Sequence, residues 1–320
     1  MSSIPTIFNS PVIPHTVIGQ PSFQSGKHGL KISLVLLNRG ARVFREDTLR
    51  ELTAQGWSEV ISLEEPSNTA DYEELTQKHK NLKFLLMSQV VTPGEQINLG
   101  IQEAKGDLVL VMWNDMTIPD SSFYPKSLKA WSESAILCSV PEIKNREGEE
   151  IPTVSVPSLQ GRKLKIINLG SEGDNPLTLC PYDYVGLYDR MKFLTTGGYD
   201  PKIPNTFWQR VDFGMRAFLW GEKIALNRGF KVQYLRDLPL ENRTVDSSYR
   251  SFYLKNLLLT YDGNGGVLRK GRLFPYLFSS GLSFLKSYRT FQETRTWVET
   301  HKYRFRTDAR HLVETWGSLR

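Results

Sequence analysis

The sequence predicts an α/β fold with a mixed, mainly parallel sheet flanked by helices, and three observations lead to this prediction. Apolar segments of strand length alternate with helical segments from Leu30 onward, which is the pattern of a parallel sheet. The segment 108–112 is apolar on both faces, as a strand covered by helices should be. A helix rich in small residues leads through Gly106 into that strand, which ends at Asp115.

The first half of the chain contains the more regular part of this pattern. We expect strands over 31–37, 59–63, 82–87 and 108–112, and helices over 46–55, over 70–79 and from Gly94 onward. Residues 1–28 contain several Pro, Ser and Gly without a sustained period, so they predict an irregular lead.

The second half mixes strands with longer loops. We expect a helix over 122–132, a strand over 136–140, a charged stretch up to 162, a strand over 164–168, and a short strand and helix within 183–200. A helix from Asp212, a strand over 231–234 and a helix over 249–261 follow. The predicted organisation is an irregular lead (1–28), one α/β domain (29–262, with halves 29–118 and 119–262) and a C-terminal extension (263–320).

Size and composition indicate a folded protein with a full core. The chain has 320 residues, of which 40% are hydrophobic and 23% are charged. It contains no apolar run long enough to span a bilayer and no features of a secretory signal, so we expect a cytoplasmic protein. Cys138 and Cys180 lack the spacing of a metal site or a disulfide framework, and we expect buried thiols.

The helix and strand before Asp115 carry a recognisable motif. Residues 98–107 have the pattern Asn-x-Gly-x-x-x-Ala-x-Gly-Asp, and the following strand ends in the triplet Trp113-Asn114-Asp115. The chain resembles, over about residues 30–260, family 2 glycosyltransferases of the GT-A fold, in which this helix leads into a strand ending at Asp-x-Asp. Only the second acid of that triplet is kept here, and Trp113 stands in place of the first.

The resemblance implies that Asn114 and Asp115 face the diphosphate of a nucleotide-sugar. In the family the equivalent acid binds a divalent cation, so the implied cofactor is Mn²⁺ or Mg²⁺, bridging the two phosphates of the donor. Turn chemistry alone offers an alternative, in which both residues cap a loop before Pro119.

Polar residues at two other predicted strand ends extend this site. Asn38 and Arg39 follow the first strand, and Glu64 and Glu65 follow the second. The resemblance implies that these loops and Asn98 contact the nucleotide-sugar, with a UDP-linked donor as the expected partner. A carboxylate there can accept hydrogen bonds from ribose hydroxyls or a base N–H. Solvated turn residues are the alternative.

A second stretch resembles the same family. Residues 197–200 read Gly-Gly-Tyr-Asp, where the family has Gly-Gly-Phe-Asp, and Asp212, Phe213, Arg216 and Gly221 match the helix that follows it. In the family an acid pair in front of this helix supplies the general base, which takes the proton of the acceptor hydroxyl. Gln209 and Arg210 stand at those positions, and neither can act as a base.

Three explanations for this substitution remain open. Asp212 could be the base, with Arg210 holding a phosphate or an anionic acceptor. Another acid, such as Glu172, Asp174 or Glu241, could reach in from a loop. The protein could also bind without catalysing transfer, and Asp212 could be only a helix N-terminal acid that faces the macrodipole.

The acceptor side of the site is expected around the same helix. Trp208, Gln209 and Arg210 would contact the acceptor, which the resemblance implies to be a glycan or a glycolipid. Many relatives have a histidine soon after the strand that corresponds to 231–234, whereas Glu241 is the oxygen ligand available here for Mg²⁺ or Mn²⁺. A solvated loop acid is the alternative for Glu241.

The C-terminal extension is basic and aromatic. From Gly263 onward eleven Lys and Arg residues accompany four acids, and ten Phe, Tyr and Trp residues are interleaved with them. Peripheral contact with an anionic membrane at its inner face is one interpretation. A helical extension that packs its aromatic side chains on the core is the other. The nucleic-acid-binding modules are missing from the sequence, so no nucleic-acid partner is expected.

The resemblance implies a glycosyltransferase that moves a sugar from a nucleoside-diphosphate sugar to a hydroxyl acceptor, in cell-surface glycan or glycolipid synthesis. Inversion in a single displacement is what the family implies. The alternatives are a non-catalytic relative that binds a glycan or a protein, and a nucleotidyltransferase, whose phosphate loop is longer than Asn38-Arg39-Gly40.

Overall fold

The computed structural model describes most of the chain. The described residues are 13–21, 30–40, 45–66, 71–119, 136–161, 163–170, 172–173, 175–279 and 283–319. The helix predicted over 122–132 lies outside them, as does Asp174.

Within these residues the strands have two to eleven residues and the α-helices have six to seventeen. The strands are β1 His15–Ile18, β2 Ile32–Leu37, β3 Glu59–Glu64, β4 Leu82–Met87, β5 Leu108–Trp113, β6 Met116–Thr117, β7 Cys138–Lys144, β8 Val154–Gln160, β9 Lys163–Leu169, β10 Gly186–Asp189, β11 Ile224–Tyr234, β12 Thr260–Tyr261 and β13 Gly266–Val267. The α-helices are α1 Arg45–Ala54, α2 Tyr72–Lys78, α3 Pro93–Glu103, α4 Arg190–Thr196, α5 Thr206–Leu219, α6 Ser247–Phe252, α7 Leu273–Ser279, α8 Phe284–Thr300 and α9 Ala309–Thr315.

A mixed sheet forms the centre of the molecule. Its order among the described residues is β1-β4-β3-β2-β5-β10-β7-β11-β6. Strands β4, β3, β2 and β5 are parallel neighbours, while β10 runs antiparallel to both β5 and β7. The carboxyl ends of β2, β3 and β5 therefore meet at one edge, where open α/β sheets bind ligands.

The parallel half confirms the predicted α/β fold. Every residue of β2 and β5 is buried, as expected for strands covered on both faces. Helix α3 begins with a capping box between Thr92 and Glu95. Gly100 lets this helix approach the sheet closely, because a Cβ there would lie 2.7 Å from Val35 Cγ1.

Several predicted boundaries were wrong. The lead was expected to be irregular, but β1 pairs antiparallel with β4 and extends the sheet. No strand was predicted in the charged stretch before 162, but β8 lies there and pairs with β9, which corresponds to the strand predicted over 164–168. Helix α5 begins at Thr206, because the side chain of Asn205 accepts hydrogen bonds from the N–H groups of Phe207 and Trp208. Asp212 therefore lies in the middle of the helix.

The region after α5 also differs from its predicted boundaries. Strand β11 already begins at Ile224, although it was expected from 231. The predicted helix over 249–261 is α6 followed by a π-helical turn, Tyr253–Leu257, and Tyr261 belongs to strand β12. Both cysteines are free and buried, as predicted.

The C-terminal extension packs on the domain through aromatic side chains. Trp220, which follows α5, stacks on Trp297 with ring centroids 6.1 Å apart, and Phe218 contacts Trp316 at 4.8 Å. The backbone N–H of Arg306 donates to the Leu219 carbonyl at 2.8 Å. No helix within the described ranges is both long and apolar enough to cross a bilayer.

Candidate active site

A cleft of about 350 Å³ opens at the carboxyl ends of β2 and β5. We call it the donor cleft because the sequence resemblance implies a sugar donor at this edge of the sheet, and it is lined by Asn38, Arg39, Gly40, Glu65, Val91, Pro93, Gln96 and Trp113. Three of the predicted site residues, Asn38, Arg39 and Glu65, thus share one cavity. A neighbouring cleft of about 410 Å³ also includes Glu65 and lies against His15 and Leu86.

Arg39 is bound to two carboxylates at the floor of the donor cleft. Its Nε and Nη2 donate to the two oxygens of Asp115 at 2.8 and 3.1 Å, and its Nη1 donates to Asp183 at 2.7 Å. The guanidinium carbon lies 4.2 Å from the centre of the Trp113 ring. Burial alone would lower the pKa of Arg39, but the two carboxylates raise it above its ordinary value. Arg39 is therefore a fixed cation.

Asn114 and Asn38 hold this corner of the site together. The Arg39 backbone N–H donates to Asn114 Oδ1 at 3.1 Å, so Asn114 supports the Arg39 loop. Asn38 Nδ2 donates to the Leu63 carbonyl at 2.7 Å and ties the end of β2 to the end of β3. Glu64, which was predicted to contact the nucleotide, is fully buried beneath Asn38 and does not line the cleft.

Asp183 and Tyr234 belong to the site although neither was predicted. Asp183 Oδ2 accepts hydrogen bonds from Arg39 and, at 2.8 Å, from the Tyr234 hydroxyl. Burial raises the pKa of Asp183 above its ordinary value, against the opposing charges of Arg39 and Arg210. The sequence signal was weak, because Asp183 lies 144 residues from Arg39 and is not one of the positions at which the stretch 183–200 matches the family.

The segment that carries Asp183 has an unusual backbone. Asp183 and Tyr184 have positive φ values of 46° and 65°, which residues other than glycine rarely adopt. The Trp113 indole N–H donates to the Asp183 carbonyl at 2.8 Å and helps to hold this conformation. Strained backbone of this kind is concentrated at functional sites.

A second charged cluster lies on the other side of that segment. Arg210 Nη1 donates to the Pro181 carbonyl at 3.2 Å, and its Nη2 donates to Glu241 at 2.5 Å. Arg243 binds the other oxygen of Glu241 at 2.7 Å. Burial alone would raise the pKa of Glu241, but the two arginines hold it below its ordinary value. Glu241 is thus a counter-ion to arginines.

Asp212, the predicted base, lies in a closed network away from the donor cleft. Its side chain is fully buried, and it accepts hydrogen bonds from Asn256 at 2.7 Å, from Lys255 at 3.0 Å and from Arg216. Lys255 and Arg216 lower the pKa of Asp212 against the effect of burial. A base must reach the acceptor hydroxyl, so this position does not support that role.

Three other predicted site residues also serve the fold. Gln209 is fully buried and bridges Thr92, Asp200 and Tyr184. Asn98 pairs with both backbone groups of Tyr199 at 2.8 Å.

Trp208 is enclosed as well. Its indole N–H donates to the Thr244 carbonyl at 2.8 Å, and its ring stacks on Phe252. None of Gln209, Asn98 and Trp208 lines the donor cleft. Glu172, another candidate base, is exposed.

The carboxylates of the site do not fit a divalent cation in this arrangement. Asp115 and Glu241, the predicted metal ligands, are each held through both oxygens by arginines. Within the described part of the chain, no group of three or more His, Cys, Asp and Glu side chains could hold a metal ion. The predicted sharing of one cation by Asp115 and Glu241 therefore finds no support in the geometry.

Comparisons with known proteins give a fold but no sequence family. No family model matches the chain, and no curated protein matches its sequence. The structure of GalNAc-T7 with UDP, GalNAc and Mn²⁺ superposes with a TM-score of 0.58 at 13% identity, covering 90% of this chain and 56% of that one. The chain thus spans little more than half the length of GalNAc-T7.

A second solved structure gives the same result. S. aureus TarS 1-349 in complex with UDP-GlcNAc superposes with a TM-score of 0.50 at 13% identity, covering 85% of this chain and 74% of that one. Identities this low establish the architecture alone. The chain has a GT-A-like fold, the fold of nucleotide-sugar transferases.

Proposed function

We propose that the chain is a glycosyltransferase that moves a sugar from a nucleoside-diphosphate sugar to a hydroxyl acceptor. The observation that carries the proposal is the donor cleft, which opens at the carboxyl ends of the parallel strands of a GT-A-like fold and contains a fixed guanidinium. Ligands of open α/β sheets bind at this edge, and a cation is what a diphosphate requires there.

The nucleoside would extend from the donor cleft across the end of β3. Glu65 lines both the donor cleft and the neighbouring cleft beside β1 and β4. Its carboxylate would accept hydrogen bonds from ribose hydroxyls, with the base in the neighbouring cleft. A UDP-linked donor is the first choice, since GalNAc-T7 and TarS were solved with UDP and UDP-GlcNAc.

Asp183 is the best-placed candidate for the general base. It contacts Arg39 in the donor cleft, and both of its hydrogen bonds go to Oδ2, which leaves Oδ1 for an acceptor hydroxyl. Because its pKa is raised, the Asp183 carboxylate is a stronger base than an ordinary aspartate. In a single displacement with inversion, this oxygen would take the proton of the attacking hydroxyl. The acceptor, a glycan or a glycolipid, would lie along the segment 181–184.

Donor hydrolysis tests the proposal without knowledge of the acceptor. The full chain is incubated with UDP-, GDP- and dTDP-sugars, and release of the nucleoside diphosphate is measured. We expect slow hydrolysis of one donor and a loss of at least about 100-fold in Asp183→Asn, since a positioned base contributes about 10² to 10⁴. Asp262→Asn, at an exposed carboxyl in the turn between β12 and β13, is the matched control.

A non-catalytic binding protein is the second candidate. It is favoured by Gln209 and Arg210, which replace an acid pair, and by the enclosure of Asp212. A chain that binds a nucleotide-sugar but hydrolyses none, and transfers to no glycan in a panel, would support this candidate over the transferase.

A further inference from the structure

The donor cleft contains a cation that belongs to the chain. The N–H groups at Nε and Nη2 of Arg39 donate to the two Asp115 oxygens, and an N–H at Nη1 donates to Asp183. A guanidinium has five N–H groups, so two are not used in these contacts. The Trp113 ring supports one face of the guanidinium. The orientation of Arg39 is thus fixed before any ligand binds.

Arg236 brings a second cation to the rim of the same cleft. It is an exposed residue just beyond the end of β11. Its Nη1 lies 2.9 Å from the position that a Cβ would occupy on Gly40, and Gly40 lines the donor cleft. The two guanidinium groups therefore approach one cavity from two different loops.

We propose that Arg39 and Arg236 bind the diphosphate of the donor in place of a divalent cation, and that Asp115 is a positioning residue for Arg39. This inference rests on the proposed function and specifies how its donor is held. Two guanidinium groups carry the charge of one Mn²⁺ ion, and Arg39 already occupies Asp115, the carboxylate predicted to bind that ion. Arginine binds phosphate oxygens in a bidentate manner, which gives orientation as well as charge.

Calorimetric titration of the full chain tests this inference. UDP, GDP, ADP and CDP are titrated in EDTA and again in Mn²⁺. We expect one of them to bind with a Kd that differs by less than about threefold between the two conditions, because the required charge is part of the chain.

Variants of the two arginines separate their roles. Arg39→Ala should weaken binding in EDTA by at least about tenfold. Added Mn²⁺ should restore part of that loss, because Asp115 and Asp183 no longer have a counter-ion. Arg39→Lys keeps the positive charge but loses the paired N–H groups, so its affinity should lie between those of the wild type and Arg39→Ala. It replaces Arg39→Ala as the test variant if the latter does not fold. Arg236→Ala should also weaken binding, whereas Arg228→Ala, an exposed arginine within β11, should not.

The possible failures are distinguishable. Binding by the wild type that disappears in EDTA and returns with Mn²⁺ would overturn the inference and leave the proposed function intact. Absence of binding by every nucleoside diphosphate in both conditions would overturn the proposed function and the inference together.

A second inference comes from a different part of the chain, the helical hairpin formed by α7 and α8. Tyr276 and Phe291 pack against each other on its inner face and are buried. Its outer face carries large apolar side chains that are 45–91% exposed, namely Phe274, Phe278, Phe284, Leu285 and Tyr288. A cluster of large, exposed apolar side chains usually marks a binding surface.

The charge around this hairpin indicates what it would bind. Residues 269–300 contain six Lys and Arg residues and two acids, Glu293 and Glu299, which lie in the second half of α8 and pair with Arg289 and Arg295. We propose that the hairpin binds an anionic membrane surface, with the apolar side chains inserted and the basic ones at the headgroups. Such a position would give the proposed transferase access to a lipid-linked acceptor.

Vesicle sedimentation tests the second inference. The chain should sediment with vesicles of phosphatidylglycerol and phosphatidylcholine, and not with phosphatidylcholine alone. Replacing Phe278 and Leu285 by Ser should lower the partition coefficient at least about tenfold, since each removes a large apolar side chain. Tyr303→Ser, which changes an exposed aromatic outside the hairpin, should have no effect. Equal loss in the control, or absence of binding to anionic vesicles, would overturn the inference.

Discussion

Asp212 and Asp115 are both carboxylates bound by arginine, but their surroundings give them different roles. Asp212 is fully buried in α5, where Lys255 and Asn256 reach it from the π-helical turn that follows α6. That turn brings two consecutive side chains onto one carboxylate. Asp115 instead is bound to Arg39, which lines the open donor cleft, although Asp115 itself is buried and does not line it. We infer that the first stabilises the fold and the second orients a ligand-binding arginine.

Removing the charge of Asp212 should therefore destabilise the protein. Asp212→Asn leaves the buried cations Arg216 and Lys255 without their shared counter-ion, and we expect the free energy of unfolding to fall by about 3–5 kcal/mol. Urea denaturation measures this change. Asp237→Asn, at an exposed carboxyl, should change it by less than about 0.5 kcal/mol. A stable but inactive Asp212→Asn variant would restore Asp212 as the base.

The pH dependence of donor turnover should report Asp183. A base must be deprotonated, and burial raises the pKa of Asp183, so its proton is retained to a higher pH than on an ordinary aspartate, whose pKa is about 3.9. As the pH is lowered, activity should thus begin to fall at a pH above that value. The measurement is kcat/KM against pH. An acid limb that persists unchanged in the residual activity of Asp183→Asn would assign it to another group.

At the scale of elements, the helix motif that resembles a sugar-transferase signature mainly joins parts of the fold. Asn98 in α3 pairs with the backbone N–H and carbonyl of Tyr199, which lies in the turn after α4. Gln209 in α5 accepts a hydrogen bond from the backbone N–H of Gly94 in α3. The two stretches in which the sequence resembles glycosyltransferases are therefore in contact, and they fix α3, α5 and the turn between them.

Loss of the Asn98 amide should weaken this junction. Asn98→Ala leaves the backbone groups of Tyr199 without their partner, and we expect a loss of about 1–3 kcal/mol in the free energy of unfolding. Asn264→Ala, in an exposed turn, is the control. A variant of unchanged stability that no longer binds a nucleotide would instead place Asn98 in the donor site.

The elements that could be predicted from sequence are those whose pattern is local. Strand β5 is a continuous apolar segment and β2 to β4 contain short apolar runs, and their parallel order follows from the intervening helices. Strand β1 has only four residues and β8 contains a proline, so their patterns are weak. The pairing of Arg39 with Asp115 joins residues 76 positions apart, and no local pattern encodes it. Asn38, Arg39 and Glu65 could be found because each follows a strand of the parallel half.

At the scale of the whole molecule, the C-terminal extension is part of the folded unit. Trp297, Phe305 and Trp316 are buried, and Trp220 and Phe218 beside them belong to the region of α5. The packing interpretation of its aromatic residues thus holds for the inner face. The outer face of the α7–α8 hairpin remains available for a membrane.

Truncation of one of these contacts should destabilise the entire chain. Trp316→Ala removes a buried indole from Phe218, and we expect the free energy of unfolding to fall by about 3–5 kcal/mol. Tyr303→Ala, at a largely exposed ring, should have little effect. Two separate unfolding transitions in the wild type would show that the extension folds independently.

A crystal structure of the full chain soaked with UDP in EDTA examines the location and the chemistry of the donor site together. The diphosphate should lie in the donor cleft within hydrogen-bonding distance of the Arg39 guanidinium, with Asp115 still bound to Arg39 and the ribose beside Glu65. A nucleotide bound elsewhere on the chain, with the donor cleft empty, would contradict the assignment of that cleft to a nucleotide-sugar.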